Sequence, residues 1–243
     1  MKNPFAFRGS HGPTFIKTLP WSLLLLPGSY NGTGTWTGTA SAGTSGSTNL
    51  VDASGSPPGL TSNYATFDGS SQRLLTSYDA STLVAQAGTT LVSIVRFHST
   101  GPASANTGSA YLTQSAANPT AWGLSHNGSA PDGANMYCVN STNTIVATAK
   151  QSLSLNTWYV HVGRWTGSVV RNRINTTDSS DVALSGGAGS TTLTAGRKLL
   201  IGLTPTGAFH NMDLRLVAIA PSVISDANCT NLYNEAVTQG WLT

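Results

Sequence analysis

Apolar and polar positions alternate over short stretches of this chain, and the alternation recurs from about residue 63 to residue 220. Residues 89–98 show it best. Leu91, Ser93, Val95 and Phe97 fall on one face, and Val92, Ile94, Arg96 and His98 on the other, which is the period of a β-strand. Tyr64-Ala-Thr-Phe-Asp-Gly alternates and ends in a turn, and residues 72–76 resume the pattern. Residues 110–114, 121–126, 135–139 and 144–149 read as shorter strands, with Asn127-Gly128 and Asp132-Gly133 at turns. Residues 158–175 predict a hairpin around Thr166-Gly167-Ser168. On its first strand Trp158, Val160 and Val162 share one face while Tyr159, His161 and Trp165 share the other. Residues 198–202 and 212–220 close the strand series.

Two stretches break the alternation. Residues 79–86 predict a short helix capped by Asp79. Residues 225–240 predict the one full helix: Ser225 caps it, Asp226 suits its positive end, and Leu232, Tyr233, Ala236 and Val237 form an apolar stripe before Gly240. Many short strands with a single late helix predict an all-β chain, an antiparallel β-sandwich of jelly-roll type.

The first 62 residues lack this rhythm. Residues 1–27 are expected to form an anchoring arm, with Phe5, Phe7, Arg8, Phe15, Trp21 and Leu24 as partner contacts. The apolar run at 19–26 is far shorter than the ~20 residues that cross a bilayer. Pro20 and Pro27 bracket it, so a buried strand or a clamp onto a neighbour is expected rather than membrane insertion. Residues 28–62 are rich in Gly, Ser and Thr and read as a loop or linker, with Trp36, Leu50 and Val51 as buried points. The jelly-roll domain is placed at 63–243.

Composition narrows the function. Only 9% of residues are charged, against about 25% in ordinary soluble domains, and Gly, Ser, Thr and Asn take the polar positions. The net charge of +3 is scattered, without the dense basic stripe of a nucleic-acid surface. Arg164, Arg171 and Arg173 read as surface charge on the hairpin. Cys138 and Cys229 are too few for a disulfide framework and are expected as buried thiols. Glycosidases ordinarily use two positioned carboxyl groups, yet the sole glutamate is Glu235, and most aspartates sit where turns and caps place them. There is no Gly-x-Ser-x-Gly elbow. His11, His98, His126, His161 and His210 lack zinc-ligand spacing. Neither catalysis nor a cofactor is expected. Glycan binding survives, since such sites pair aromatic faces with polar groups. Trp165, His161, Trp122 and Tyr137 are its candidates, with Trp165 expected to be exposed near the turn and Trp158 assigned to the core.

The order of these features resembles the laminin-G-like, concanavalin A-like jelly rolls. Tyr64-Ala-Thr-Phe-Asp-Gly before a short helix, the strand at 90–97, the tryptophan-led hairpin, Ile201-Gly202, and Phe209-His-Asn-Met-Asp-Leu before the last strand and helix carry the likeness over about 63–240. Asn175-Thr176 stands where that family often has Asn-Gly, and the family's calcium sites cannot be placed on this sequence. The aromatic arm and Gly/Ser/Thr-rich stretch resemble structural proteins of tailed-bacteriophage virions. That resemblance implies a non-enzymatic protein on the virion surface that decorates or reinforces the capsid, contacting major capsid or other virion proteins and its own copies. The alternative is a carbohydrate-binding adhesin module recognising host-surface glycans. A lectin-fold hydrolase is a third reading.

Overall fold

The computed structural model describes residues 15–26, 28–40, 49–52, 55–61, 63–76, 79–100, 110–113, 120–127, 133–142, 144–188, 198–202 and 209–243. Two antiparallel sheets carry the described chain. The first runs in the order Thr177–Asp178, Val169–Ile174, Trp158–Thr166, Gly88–Phe97, Asn211–Ala220, Tyr64–Asp68 and Gly59–Thr61. Leu23–Leu25 adds beside Val217 to Ile219, and Val182–Ala183 beside Val169 and Val170. The second runs Ile145–Ala147, Gly133–Val139, Thr120–Asn127, Ala110–Thr113, Lys198–Ile201, Leu74–Thr76, Leu50–Asp52 and Thr35–Trp36, with Gln151–Ser152 paired to Gly133 and Ala134. The expected β-sandwich with one C-terminal helix is what the chain forms.

The three longest first-sheet strands lie side by side, with Trp158 opposite Arg96 and Thr166 opposite Gly88. Leu91, Val95, Phe97, Trp165, Leu214 and Ile219 face the second sheet and meet Trp122, Leu124, Met136, Cys138, Leu199 and Ile201. The other face of the first sheet is covered too. Val92, Ile94, Trp158, Val160, Val162, Leu216 and Ala218 lie beneath Ile16, Leu19, Trp21 and Leu24 and the helix residues Cys229, Leu232 and Ala236. Each large apolar side chain buried this way contributes roughly 1.5–3 kcal/mol.

That second covering corrects the expected boundary at residue 63. Strands at Leu23–Leu25, Thr35–Trp36, Leu50–Asp52 and Gly59–Thr61 pair into the two sheets, so described parts of 15–61 belong to the sandwich. It also corrects two of the expected partner contacts. Trp21 and Leu24 are buried against their own domain, because the apolar run satisfies its backbone on the edge of the Asn211–Ala220 strand. Phe15 is half-buried there as well. Phe5, Phe7 and Arg8 lie outside the described residues.

The helix, Asp226–Thr238, begins where the sequence predicts: Asn228 N donates to Ser225 Oγ at 3.1 Å. Its Glu235 accepts from Phe15 N at 3.1 Å and Ile16 N at 2.7 Å. The sole glutamate is therefore a clasp between the helix and the start of the described chain. Both cysteines are buried and free, and burial pushes the Cys138 thiol up to about 12. No described helix is long and apolar enough to cross a membrane.

Candidate functional site

The aromatic site expected on the hairpin does not form. Trp165 is 0% exposed. It stacks obliquely on Trp122 at 5.9 Å between ring centroids and donates its indole N–H to Ala85 O at 3.1 Å. Trp122, Tyr137 and His161 are buried as well. The physical reason is the double covering of the first sheet: the strand faces the second sheet on one side and the helix layer on the other, so Trp158 and Trp165 are both interior. Nor are two of the three hairpin arginines surface charge. Arg164 and Arg173 are 4% and 5% exposed and share Asp178 at 3.1 and 3.0 Å, with Arg164 also on Asp226. Arg171, half-buried, pairs with Asp181, and its guanidinium holds that carboxyl below the usual range.

The surface offers something else. At one margin of the sandwich an edge strand of each sheet comes together: Gln151–Ser152 from the second, Thr177–Asp178 from the first. The gap between them is an open groove of about 460 Å³ lined by Gln151, Ser152, Ile174, Asn175, Thr176, Thr177 and Tyr233. That volume lies within the usual range of small-ligand sites, about 300–1,000 Å³.

Local chemistry fixes the groove walls. Asn175 turns the chain at φ +55°, a conformation asparagine tolerates better than most residues. Its Oδ1 accepts from Val160 N at 3.0 Å, which holds the turn against the neighbouring strand. Gln151 bridges the two sheets: Nε2 donates to Thr177 O at 2.8 Å, and Oε1 accepts from Asn172 Nδ2 at 2.7 Å. Asn172 also donates to Ala134 O at 3.2 Å. Its Oδ1 is therefore the acceptor toward His161 Nε2, 2.6 Å away. Burial pushes the His161 imidazole down to about 4 against the opposing pull of Asn172, so this buried relay is neutral at ordinary pH. His161, expected to touch a glycan directly, reaches the groove only through Asn172 and Gln151.

Above this floor the side-chain ends are unspent. The hydroxyls of Ser152, Thr176, Thr177 and Tyr233 and the Nδ2 of Asn175 make no hydrogen bond within the described residues. Ser152, Thr176 and Thr177 are exposed; Tyr233 is half-buried, packed on the layer below and lining the groove. The arrangement can present several neutral donors and acceptors beside an aromatic surface. A second cleft, of about 360 Å³, lies among Lys17, Trp21, Leu24, Leu26, Thr39 and Ala40 and is mainly apolar.

Several carboxylates have structural work. Asp68 Oδ1 accepts from Ser70 N and Ser71 N, and Asp79 caps the short 3-10 turn Ala80–Leu83 through Ser81 N. Asp213 is buried and takes Arg96 and His98 on one oxygen. His126 and His210, far apart in sequence, lie 6.0 Å apart between ring centroids, yet no group of three metal-ligating side chains assembles among the described residues.

The groove residues were not singled out by sequence as a site. Asn175-Thr176 was visible as a polar turn and Tyr233 as part of a helix stripe. Nothing in the pattern joins them to Gln151.

No protein-family model matches the chain, and no curated protein matches it. Solved structures are. Trypanosoma rangeli sialidase carrying 2,3-difluorosialic acid as a covalent intermediate aligns with a TM-score of 0.65 at 13% identity, over 90% of this chain and 33% of that one. The botulinum neurotoxin serotype D ligand-binding domain in complex with N-acetylneuraminic acid aligns at 0.62 and 11%, over 91% and 52%. Domain 4 of AbnA, a GH43 extracellular arabinanase from Geobacillus stearothermophilus, in complex with arabinotriose, aligns at 0.55 and 12%, over 79% and 82%. The chain thus spans about a third of the sialidase's length. At these identities the likeness is one of fold: a β-sandwich of jelly-roll type.

Proposed function

We propose that this chain is a carbohydrate-binding module whose site is the groove between Gln151–Ser152 and Thr177–Asp178. The observation that carries the reading is the convergence of unspent hydroxyl and amide groups with the Tyr233 ring on a braced groove. Sugars bind through such neutral hydrogen bonds and through contact of their C–H faces with aromatic rings. The neighbours in fold support it: one was solved with arabinotriose and another with N-acetylneuraminic acid. Binding is favoured over hydrolysis because none of the groove-lining residues is a carboxylate. Within the jelly rolls, the order of the Tyr64–Asp68, Gly88–Phe97, hairpin and Asn211–Ala220 elements supports the laminin-G-like class. A virion-structural role draws no such support, since Trp21 and Leu24 are used inside the domain.

The test is a glycan array probed with the full chain and with Tyr233→Ala. Retention on one or more glycans, weakened in the variant, is expected. A chain that binds no glycan on a broad array contradicts the reading.

A further inference from the structure

Resting on that reading, we propose that the groove selects neutral oligosaccharides and disfavours saccharides carrying carboxylate, sulfate or phosphate groups. An anionic sugar is held by charge-assisted hydrogen bonds from arginine, lysine or a cluster of N–H donors. None of the lining residues is charged.

The buried cations beside the groove are already committed. Arg173 adjoins the lining residue Ile174 in the chain and is 5% exposed. Its Nε donates to Asn175 O at 3.1 Å, its Nη1 to Asp178 Oδ2 at 3.0 Å, and its Nη2 to Thr230 Oγ1 at 2.9 Å. Arg164 is equally buried and divided between Asp178 and Asp226. Lys150, next to Gln151 in the chain, is half-buried and has an interaction of its own. On the helix, the charged residue nearest Tyr233 is Glu235, which clasps Phe15 and Ile16.

The carboxylate beside the groove is committed as well. Asp178 follows Thr177 directly, and its side chain is 32% exposed. Its Oδ1 accepts from Arg164 and its Oδ2 from Arg173, and with Asp226 also on Arg164 the two buried arginines are balanced, so the surroundings are close to neutral in sum. An acidic sugar would lose water without gaining a cation. A neutral sugar meets hydroxyls, an amide and a phenol ring. It asks for nothing the groove lacks.

The experiment is calorimetric titration of the full chain with two neutral trimers, arabinotriose and cellotriose, and two acidic probes, sialyllactose and trigalacturonic acid, at low and high salt. The variants are Tyr233→Leu, which keeps apolar packing without the ring, and the double change Thr176→Val with Thr177→Val, which keeps strand-compatible shape without the hydroxyls. Thermal unfolding checks that both fold. The proposal expects a neutral trimer to bind with an affinity unaffected by salt, and the acidic probes to bind at least about tenfold more weakly. The double variant should weaken the neutral trimer by about three- to tenfold per hydroxyl. An acidic probe bound as tightly as the neutral ones, with affinity falling in salt, would overturn the neutral class and leave the carbohydrate reading standing. Neutral binding that ignores both variants would overturn the groove assignment. Binding of none of these probes overturns the selectivity proposed here, and the glycan array then decides whether the carbohydrate reading falls with it.

Discussion

Gly163 sits on the inward face of the Trp158–Thr166 strand, where a Cβ would land on the Met136 sulfur and the Leu124 side chain. Gly163→Ala is therefore expected to push the sheets apart and cost about 1–3 kcal/mol, read as a lower urea midpoint. Trp165→Ala should cost about 3–5 kcal/mol while leaving the saccharide affinity of the folded fraction unchanged. That pairing separates its core role from the recognition role its sequence position invited. Two buried histidines set the acid limb of stability. Burial holds His161 at about 4 and His210 at about 3, below the ~6.5 of an unfolded histidine. Between those values the unfolded chain binds protons that the folded one refuses, so stability is full above about pH 6.5 and is lost as pH falls toward 4 and then 3. For His161 the loss is on the order of 3 kcal/mol. Urea unfolding followed from pH 7 to pH 4 should show it, with a shallower slope in His161→Gln.

At the scale of elements, the clasp at Glu235 makes a separate prediction. Glu235→Ala leaves the amides of Phe15 and Ile16 without their acceptor, at a cost of about 1–3 kcal/mol. Limited proteolysis should then cut near residues 15–22 faster, while far-UV circular dichroism keeps the sheet signal. The elements most legible in the sequence were those whose pattern is local. The Gly88–Phe97 strand shows its alternation openly, and Ser225 and Gly240 mark the ends of the helix region. Strands at Thr35–Trp36 and Gly59–Thr61 were invisible because two or three residues in a Gly/Ser/Thr-rich stretch hold too little alternation to register. The exposure of Trp165 was misjudged for a different reason. Alternation distinguishes two faces of a strand but does not say which is bare; here the second sheet covers the Trp165 face and the helix layer covers the Trp158 face.

For the molecule as a whole, the groove is a property of tertiary closure. Gln151, Asn175 to Thr177 and Tyr233 come from an edge strand, a turn and a helix, and each is ordinary in its own element. Only the meeting of two sheet margins, braced by the His161–Asn172–Gln151–Thr177 relay, turns them into one surface. That is why the fold could be read from the chain and the site could not. The direct test is amide chemical-shift mapping of the full chain during titration with arabinotriose and cellotriose. Shifts concentrated at Gln151, Ser152, Asn175, Thr176, Thr177 and Tyr233 are the predicted result. Saccharide-dependent shifts confined to another part of the surface, or none with either sugar, would contradict it.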